Sequence, residues 1–148
     1  MAPQIARPEA DVTNEGWTTQ DEGHSSLYNV INEVSPDDVD YAVSTSGPDH
    51  EVYVTRLSDL QDPGADIGHI LRFRVGKQMA VAAECTLLVE LRQDYVDEDD
   101  QGELIADYFI DDVPLAFTQY NVPLLEEEAA LITDYTSLFL RLVADQPE

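Results

Sequence analysis

The chain has 148 residues, 43% of them hydrophobic, with a formal net charge of -24 at pH 7. That length accommodates one domain with a sizeable core but not two ordinary ones. Asp and Glu number 31 against seven Lys and Arg, a balance that repels free polyanions and so excludes nucleic acid as a partner.

The acidity has three readings: adaptation to high salt, where screening removes the self-repulsion; a partner with a basic surface; or calcium binding. High salt is favoured over the other two. A disordered acidic tail does not fit, because the carboxylates are interleaved with apolar residues along the whole sequence.

The opening "MAPQIARPEA" carries Pro3 and Pro8 about an isolated Ile5. It reads as an N-terminal arm, residues 1–10, ahead of a single domain over residues 11–148. The arm lacks the apolar run of a secretory signal, and no segment approaches the roughly 18 apolar residues that cross a bilayer. Neither export by a standard signal nor a membrane partner is expected.

The first strand is expected at Val12 to Trp17. Trp17 follows "NEG"; it is either a stacking platform for a sugar or a plug at the end of a sheet, and the plug is the commoner role for a lone Trp beside glycine. Ser25 to Glu33 has helical spacing at Leu27, Val30 and Ile31. Strands follow at Asp40 to Ser44 and Val52 to Leu57. "QDPGAD", residues 61–66, places Pro63 and Gly64 at the centre of a type II turn, where proline fixes φ and glycine accepts a positive one.

In the strand His69 to Val75, Leu71, Phe73 and Val75 point one way and Arg72 and Arg74 the other. Cys85 to Gln93 follows, and the parity of Cys85 with Leu87, Val89 and Leu91 makes it a small buried residue more than a reactive thiol. "DEDDQG", residues 97–102, reads as a hairpin loop. Its Asp97, Asp99, Gln101 and Gly102 match half of a calcium loop, but the twelfth position is Tyr108, which supplies no carboxylate.

Strands at Glu103 to Ile110 and Ala116 to Pro123 lead to a short helix, Glu126 to Ile132, whose first-turn acids favour the helix dipole. The last strand is Leu138 to Ala144, with Leu138, Leu140 and Leu142 opposed to Phe139, Arg141 and Val143. One apolar and one mixed face per strand is the mark of antiparallel sheets packed on one side. The expected fold is all-β: an antiparallel β-sandwich of jelly-roll type, with about eight strands and one or two short helical segments.

No catalytic constellation emerges, and the chain reads as a non-enzyme. His24, His50 and His69 lack partners at metal-ligand spacing, and Ser25, Ser26 and Ser137 lack a nucleophile context. No phosphate-binding glycine pattern is present, so no cofactor and no metal are expected. Arg56, Arg72, Arg74, Arg92 and Arg141 all fall in expected strands, where cross-strand pairing with Glu90, Glu103 or Asp107 is favoured over an anion site.

Five segments, "VTNEGWTT", "LYNVINEVSPDDVDYAVS", "LSDLQDPGADIGHILRFRV", "LLVELRQ" and "FTQYNVPLLEEEAALITDYTSLFLRLV", in this order resemble a family of small jelly-roll-like structural proteins. That family is encoded in tailed phages and related prokaryotic viruses, and the resemblance spans about residues 11–144. It implies a non-enzymatic virion protein, most simply a capsid decoration or cement protein on the outside of the head, assembled in the host cytoplasm and commonly homotrimeric, with the major capsid protein or other virion proteins as partners. The chain departs from the family in its acidity and its lack of glycine-rich loops, which suggests a high-salt host.

On that reading the partner-binding candidates are Ile5 and Arg7 of the arm, Trp17, and the outward Arg72 and Arg74. The alternatives are a carbohydrate-binding β-sandwich module, with Trp17 as its platform, or a tail or head-fibre component.

Overall fold

The computed structural model describes residues 4–19, 26–31, 41–45, 47–77 and 84–146. Among them the chain is mostly β. The strands are β1 (Pro8–Asn14), β2 (Thr18–Thr19), β3 (Ala42–Val43), β4 (Glu51–Leu57), β5 (Ile70–Val75), β6 (Thr86–Gln93), β7 (Glu103–Ile110), β8 (Thr118–Pro123) and β9 (Leu138–Asp145). A 3-10 turn at Tyr28–Val30 and a one-turn helix α1 (Glu126–Ala129) interrupt them. Every strand pairing is antiparallel, as the alternation in the sequence implies.

Five strands form the main sheet in the order β1-β4-β9-β6-β7, while β2 pairs with β3 and β5 with β8. The last strand of the chain thus lies at the sheet's centre, which is why β9 and its neighbours are the most buried elements. Across the main sheet one row of partners runs Tyr53, Leu142, Val89, Tyr108, and the next runs Val54, Arg141, Glu90, Asp107. Successive rows face opposite sides, because side chains alternate along a strand.

The first face is covered by the β5–β8 pair. Leu71 packs with Leu87, Val89, Ile110, Val113 and Ala144, flanked by Phe73, Val75, Tyr120 and Val122. At one end Leu57, Leu91, Ile105 and Ala106 meet Ile132, Tyr135 and Leu138 from the segment after α1. The second face holds Val52, Val54, Phe139 and Val143, capped by Tyr95 from the β6–β7 connection. Val54 and Val89 are fully buried on opposite faces, each burial stabilising by about 1.5–3 kcal/mol.

This double covering corrects the expectation of one apolar and one solvated mixed face. The connection after β6 is the loop of the β6–β7 hairpin, as expected, and it folds back over the mixed side. Asp94 and Gly102 both take positive φ, 60° and 67°, and a Cβ on Gly102 would collide with the Gln93 carbonyl.

Most strands lie within two residues of their expected bounds, and β7 begins and ends as expected. The first does not: it runs over Pro8–Asn14, earlier than Val12 to Trp17. Register shifts between Pro8 and Ala10 and between Asp11 and Thr13 break its alternation, which is how a bulged edge strand hides from a period-2 pattern. Pro8–Ala10 of the expected arm therefore belong to the main sheet.

The expected helix at Glu126 to Ile132 is helical only to Ala129 and continues as a turn. Of the expected helix at Ser25 to Glu33 only Tyr28–Val30 is helical; its ends at residues 25 and 32–33, with His24 and Asp40, lie outside the described residues. Cys85 precedes β6 and is only half-buried, its backbone N–H donating to Asp112 at 3.2 Å. Burial pushes its thiol pKa up.

Candidate interaction surface

The charged residues of the second face form one connected group. Arg141 Nη1 donates to Glu90 Oε1 at 2.7 Å, and its Nε and Nη2 donate to the two oxygens of Glu98 at 2.9 and 2.6 Å. Arg92 Nε and Nη2 reach the two oxygens of Glu90 at 3.2 and 2.9 Å. Tyr95 donates its hydroxyl to Glu98 at 2.8 Å, and the same oxygen meets Thr13 Oγ1 at 2.9 Å, tying the group to β1.

Two arginines against two glutamates leave the group close to neutral, which is what allows charges to be buried here at all. The hydrogen bonds from Arg141 hold the Glu98 carboxyl below its ordinary value against the opposing effect of burial. The hydrogen bonds that Arg141 donates to Glu98 and Glu90 correspondingly raise its own pKa. Burial pushes Tyr95 up to about 12.

Beside this group lies β7, the last strand of the main sheet. It exposes three large apolar side chains: Leu104 at 39%, Tyr108 at 37% and Phe109 at 56%. Pairing places Leu104 across from Arg92, Asp107 across from Glu90 and Phe109 across from Leu88. The bulge between Leu91 and Arg92 accounts for the three-residue step from Leu104 to Asp107 on one face. Tyr108 lies on the other face, its ring 6.0 Å from Phe73 and 5.7 Å from Tyr120, which are themselves stacked at 5.2 Å.

The opposite edge, β1, is built differently. Pro8 at its start has no N–H to offer, and two register shifts bend it. The Asp11 carboxylate accepts the backbone N–H groups of Leu27 and Tyr28 at 2.8 and 2.9 Å, which fixes the 3-10 turn against the strand. It also accepts the Tyr53 hydroxyl. Proline, bulges and a covering segment are the usual means of blunting a sheet edge. On β7, among the described residues, no strand pairs with the outer side.

The candidates from the sequence lie in separate places. Ile5 is 57% exposed on a segment held to the domain. There Gln61 donates its N–H to Gln4 Oε1 at 2.8 Å, Arg7 donates its N–H to Ser58 Oγ at 3.0 Å, and the Arg7 carbonyl accepts from Ser58 N–H at 2.8 Å. Trp17 is partly buried against the first-face core: its indole Nε1 donates to the Glu51 carbonyl at 3.2 Å and its ring lies 6.2 Å from Tyr53. Arg72 and Arg74 are exposed on β5.

The favoured cross-strand acid pairing fits Arg141 with Glu90, and Arg56 pairs with Glu9 at 3.2 Å. It does not describe Arg72, which lies across from Asn121 of β8, while Arg74 lies across from Gln119. Among the described residues Arg72 makes no ion pair. The β7 edge escaped the sequence reading because which strand ends a sheet is a property of topology. The exposed pair Tyr108-Phe109, apolar on both faces, was its signal.

In the acidic connection, Asp97 Oδ1 accepts the N–H groups of Asp99 and Asp100, each at 2.9 Å, while Glu98 turns inward to Arg141. Among the described residues no group of three or more His, Cys, Asp or Glu is placed to hold a metal ion. Among them also, no helix is long and apolar enough to cross a membrane. Compared with family models, curated proteins and solved structures, the chain matches none.

Proposed function

We propose that the chain is a non-enzymatic structural protein of a tailed prokaryotic virus, a decoration or cement protein bound to the outside of the head. On this reading the β5–β8 pair and the main sheet are the two layers of a jelly-roll-like sandwich, the protein is a homotrimer, and its acidity answers a high-salt host. The observation that carries the reading is the five segments in one order along residues 11–144.

What those segments do locally supports it. Asn14 Oδ1 accepts the N–H of Trp17 at 2.9 Å across a turn in which Gly16 has φ 93°. Asp62 Oδ1 accepts the N–H of Gly64 at 2.8 Å, and Asp134 Oδ1 accepts the N–H and hydroxyl of Thr136 at 2.9 and 2.6 Å. These side chains satisfy backbone in turns, as the residues of a structural module do. The contacts of Trp17 with Tyr53 and the Glu51 carbonyl favour a structural module over the carbohydrate-binding alternative.

The test is the protein's position and copy number in purified virus particles, by quantitative mass spectrometry and labelled electron microscopy. Hundreds of copies on the head are expected, and Ile5→Asp, which alters an exposed side chain, should lower occupancy while leaving the melting temperature unchanged. A handful of copies at the tail, or absence from particles, overturns the decoration reading. Unchanged occupancy of the variant removes the N-terminal segment's role in attachment.

A further inference from the structure

Asp107 is the exposed carboxylate in the row Val54, Arg141, Glu90, Asp107. Its cross-strand partner is another acid, Glu90, whose two oxygens are taken by Arg92 and Arg141. Like charges directly opposite each other destabilise a sheet. Among the described residues Asp107 makes no ion pair, and between Arg92 and Arg141 the sequence has no Lys or Arg. On the same face Asp107 stands between exposed Leu104 and Phe109. An apolar-acid-apolar row therefore borders the strand edge, where the first unfilled position would be that of an added strand.

We propose that the outer edge of β7 is a strand-addition site for an extended cationic segment of another protein. That segment places a Lys or Arg beside Asp107 and apolar residues beside Phe109 and Leu104. Backbone hydrogen bonds would supply affinity and the alternate side chains the selectivity. The added cation completes the charge row: Arg141 and Arg92 flank Glu90 inside, and the partner's cation relieves Asp107 outside.

A second copy of this chain is the wrong occupant by charge. Two β7 strands side by side would set Glu103 and Asp107 of each among those of the other, with no Lys or Arg on the strand to answer them. The Glu90–Arg141–Glu98 group, locked by bidentate contacts, gives the edge a rigid backing, and the blunted β1 edge directs addition to β7. The inference concerns the edge alone and holds whether or not the protein is a virion component.

The test uses the full chain, isotope-labelled, with three end-blocked peptides as probes: KTVTKTVTK, its proline-interrupted form KTVPKTVPK, and the acidic form ETVTETVTE. They are compared at one ionic strength high enough to suppress diffuse charge attraction. The first peptide should bind and slow amide exchange within residues 103–110, and the other two should not. Asp107→Lys and Phe109→Ser, both exposed substitutions checked for a melting temperature no lower than that of the unaltered chain, should each weaken binding at least about tenfold.

Equal binding of the proline form overturns the proposal, because it would reduce the effect to net charge. Protection mapped to another element overturns it as well. Sedimentation that shows a dimer dissolved by Phe109→Ser would assign the edge to a second copy instead. The peptide comparison is made on the unaltered chain, so it stands even if a variant fails to fold.

Discussion

Arg141 and Glu90 are direct cross-strand partners at the centre of the main sheet, 2.7 Å apart, with side chains 8% and 6% exposed. In a chain with seven basic residues, placing Arg141 there is costly unless its charge is answered at close range. Each of its three nitrogens donates to a carboxylate, through Glu90 and Glu98. Such a group fixes register, since a one-residue slip of β9 would carry Arg141 to the apolar face opposite Leu71.

Removing the cation should therefore cost far more than removing a surface charge. Arg141→Met strands Glu90 with Arg92 alone and leaves Glu98 without its fork, and a loss of about 3–5 kcal/mol is expected. Arg141→Lys keeps the charge but not the bidentate geometry and should fall between. Urea unfolding in concentrated salt measures both. A loss below about 1 kcal/mol for the methionine variant would mean the group is solvated like a surface pair.

The same contacts set a pH dependence. Glu98 is held below its ordinary value in the folded chain, mainly by hydrogen bonds from Arg141. A depressed folded pKa contributes stability above the unfolded value of about 4.3, and that contribution is lost as pH falls through the folded value. The stability gap between the protein and Glu98→Gln should be full at pH 7 and close only below about pH 4. Between pH 7 and 5 both should hold or gain stability as general repulsion among carboxylates eases. A gap that does not change with pH would assign the loss to packing.

Salt should act in the direction opposite to its usual effect on ion pairs. Arg92 and Arg141 are turned into the second face with Glu90 and Glu98, so those two arginines offset none of the remaining surface carboxylates and the whole surplus of -24 stays on the rest of the molecule. Raising ionic strength from about 0.1 M to 1 M shortens the screening length from about 10 Å to 3 Å. The melting temperature should rise steadily over that range, more for the unaltered chain than for a variant in which several exposed acids are made neutral. A flat or falling curve would remove the high-salt reading of the composition.

How far the sequence discloses this molecule depends on the range of the cause. Alternation at Leu71, Phe73 and Val75 and at Leu138, Leu140 and Leu142 is local, and it identifies β5 and β9 and their apolar faces. The Glu90–Arg141 pairing was also legible, since both lie at mixed-face positions of expected strands. The burial of that pair was not. It depends on Tyr95 and Glu98 folding back across the sheet, and the run of acids from Asp97 to Asp100 looks in sequence like a solvated tip. The edge position of β7 depends on strand order, and the bulges of β1 erased the one period that would have marked its start.

The connection that covers the second face turns on Gly102, which supplies the last prediction. Gly102 and Gly64 both have left-handed φ, 67° and 71°, so any L residue pays roughly 1–2 kcal/mol at either. They differ in what surrounds them: nothing lies within 4 Å of a Cβ placed on Gly64, whereas one on Gly102 meets the backbone of Gln93 and Asp94. Gly64→Ala should thus cost only the backbone term. Gly102→Ala must also push residues 94–101 off the sheet, loosening Tyr95 and Glu98 from Phe139 and Arg141. Its loss should exceed that of Gly64→Ala by at least about 2 kcal/mol, and it should shift the Tyr95 ring resonances. Equal losses at the two sites would show that the connection shifts without disturbing the buried charges beneath it.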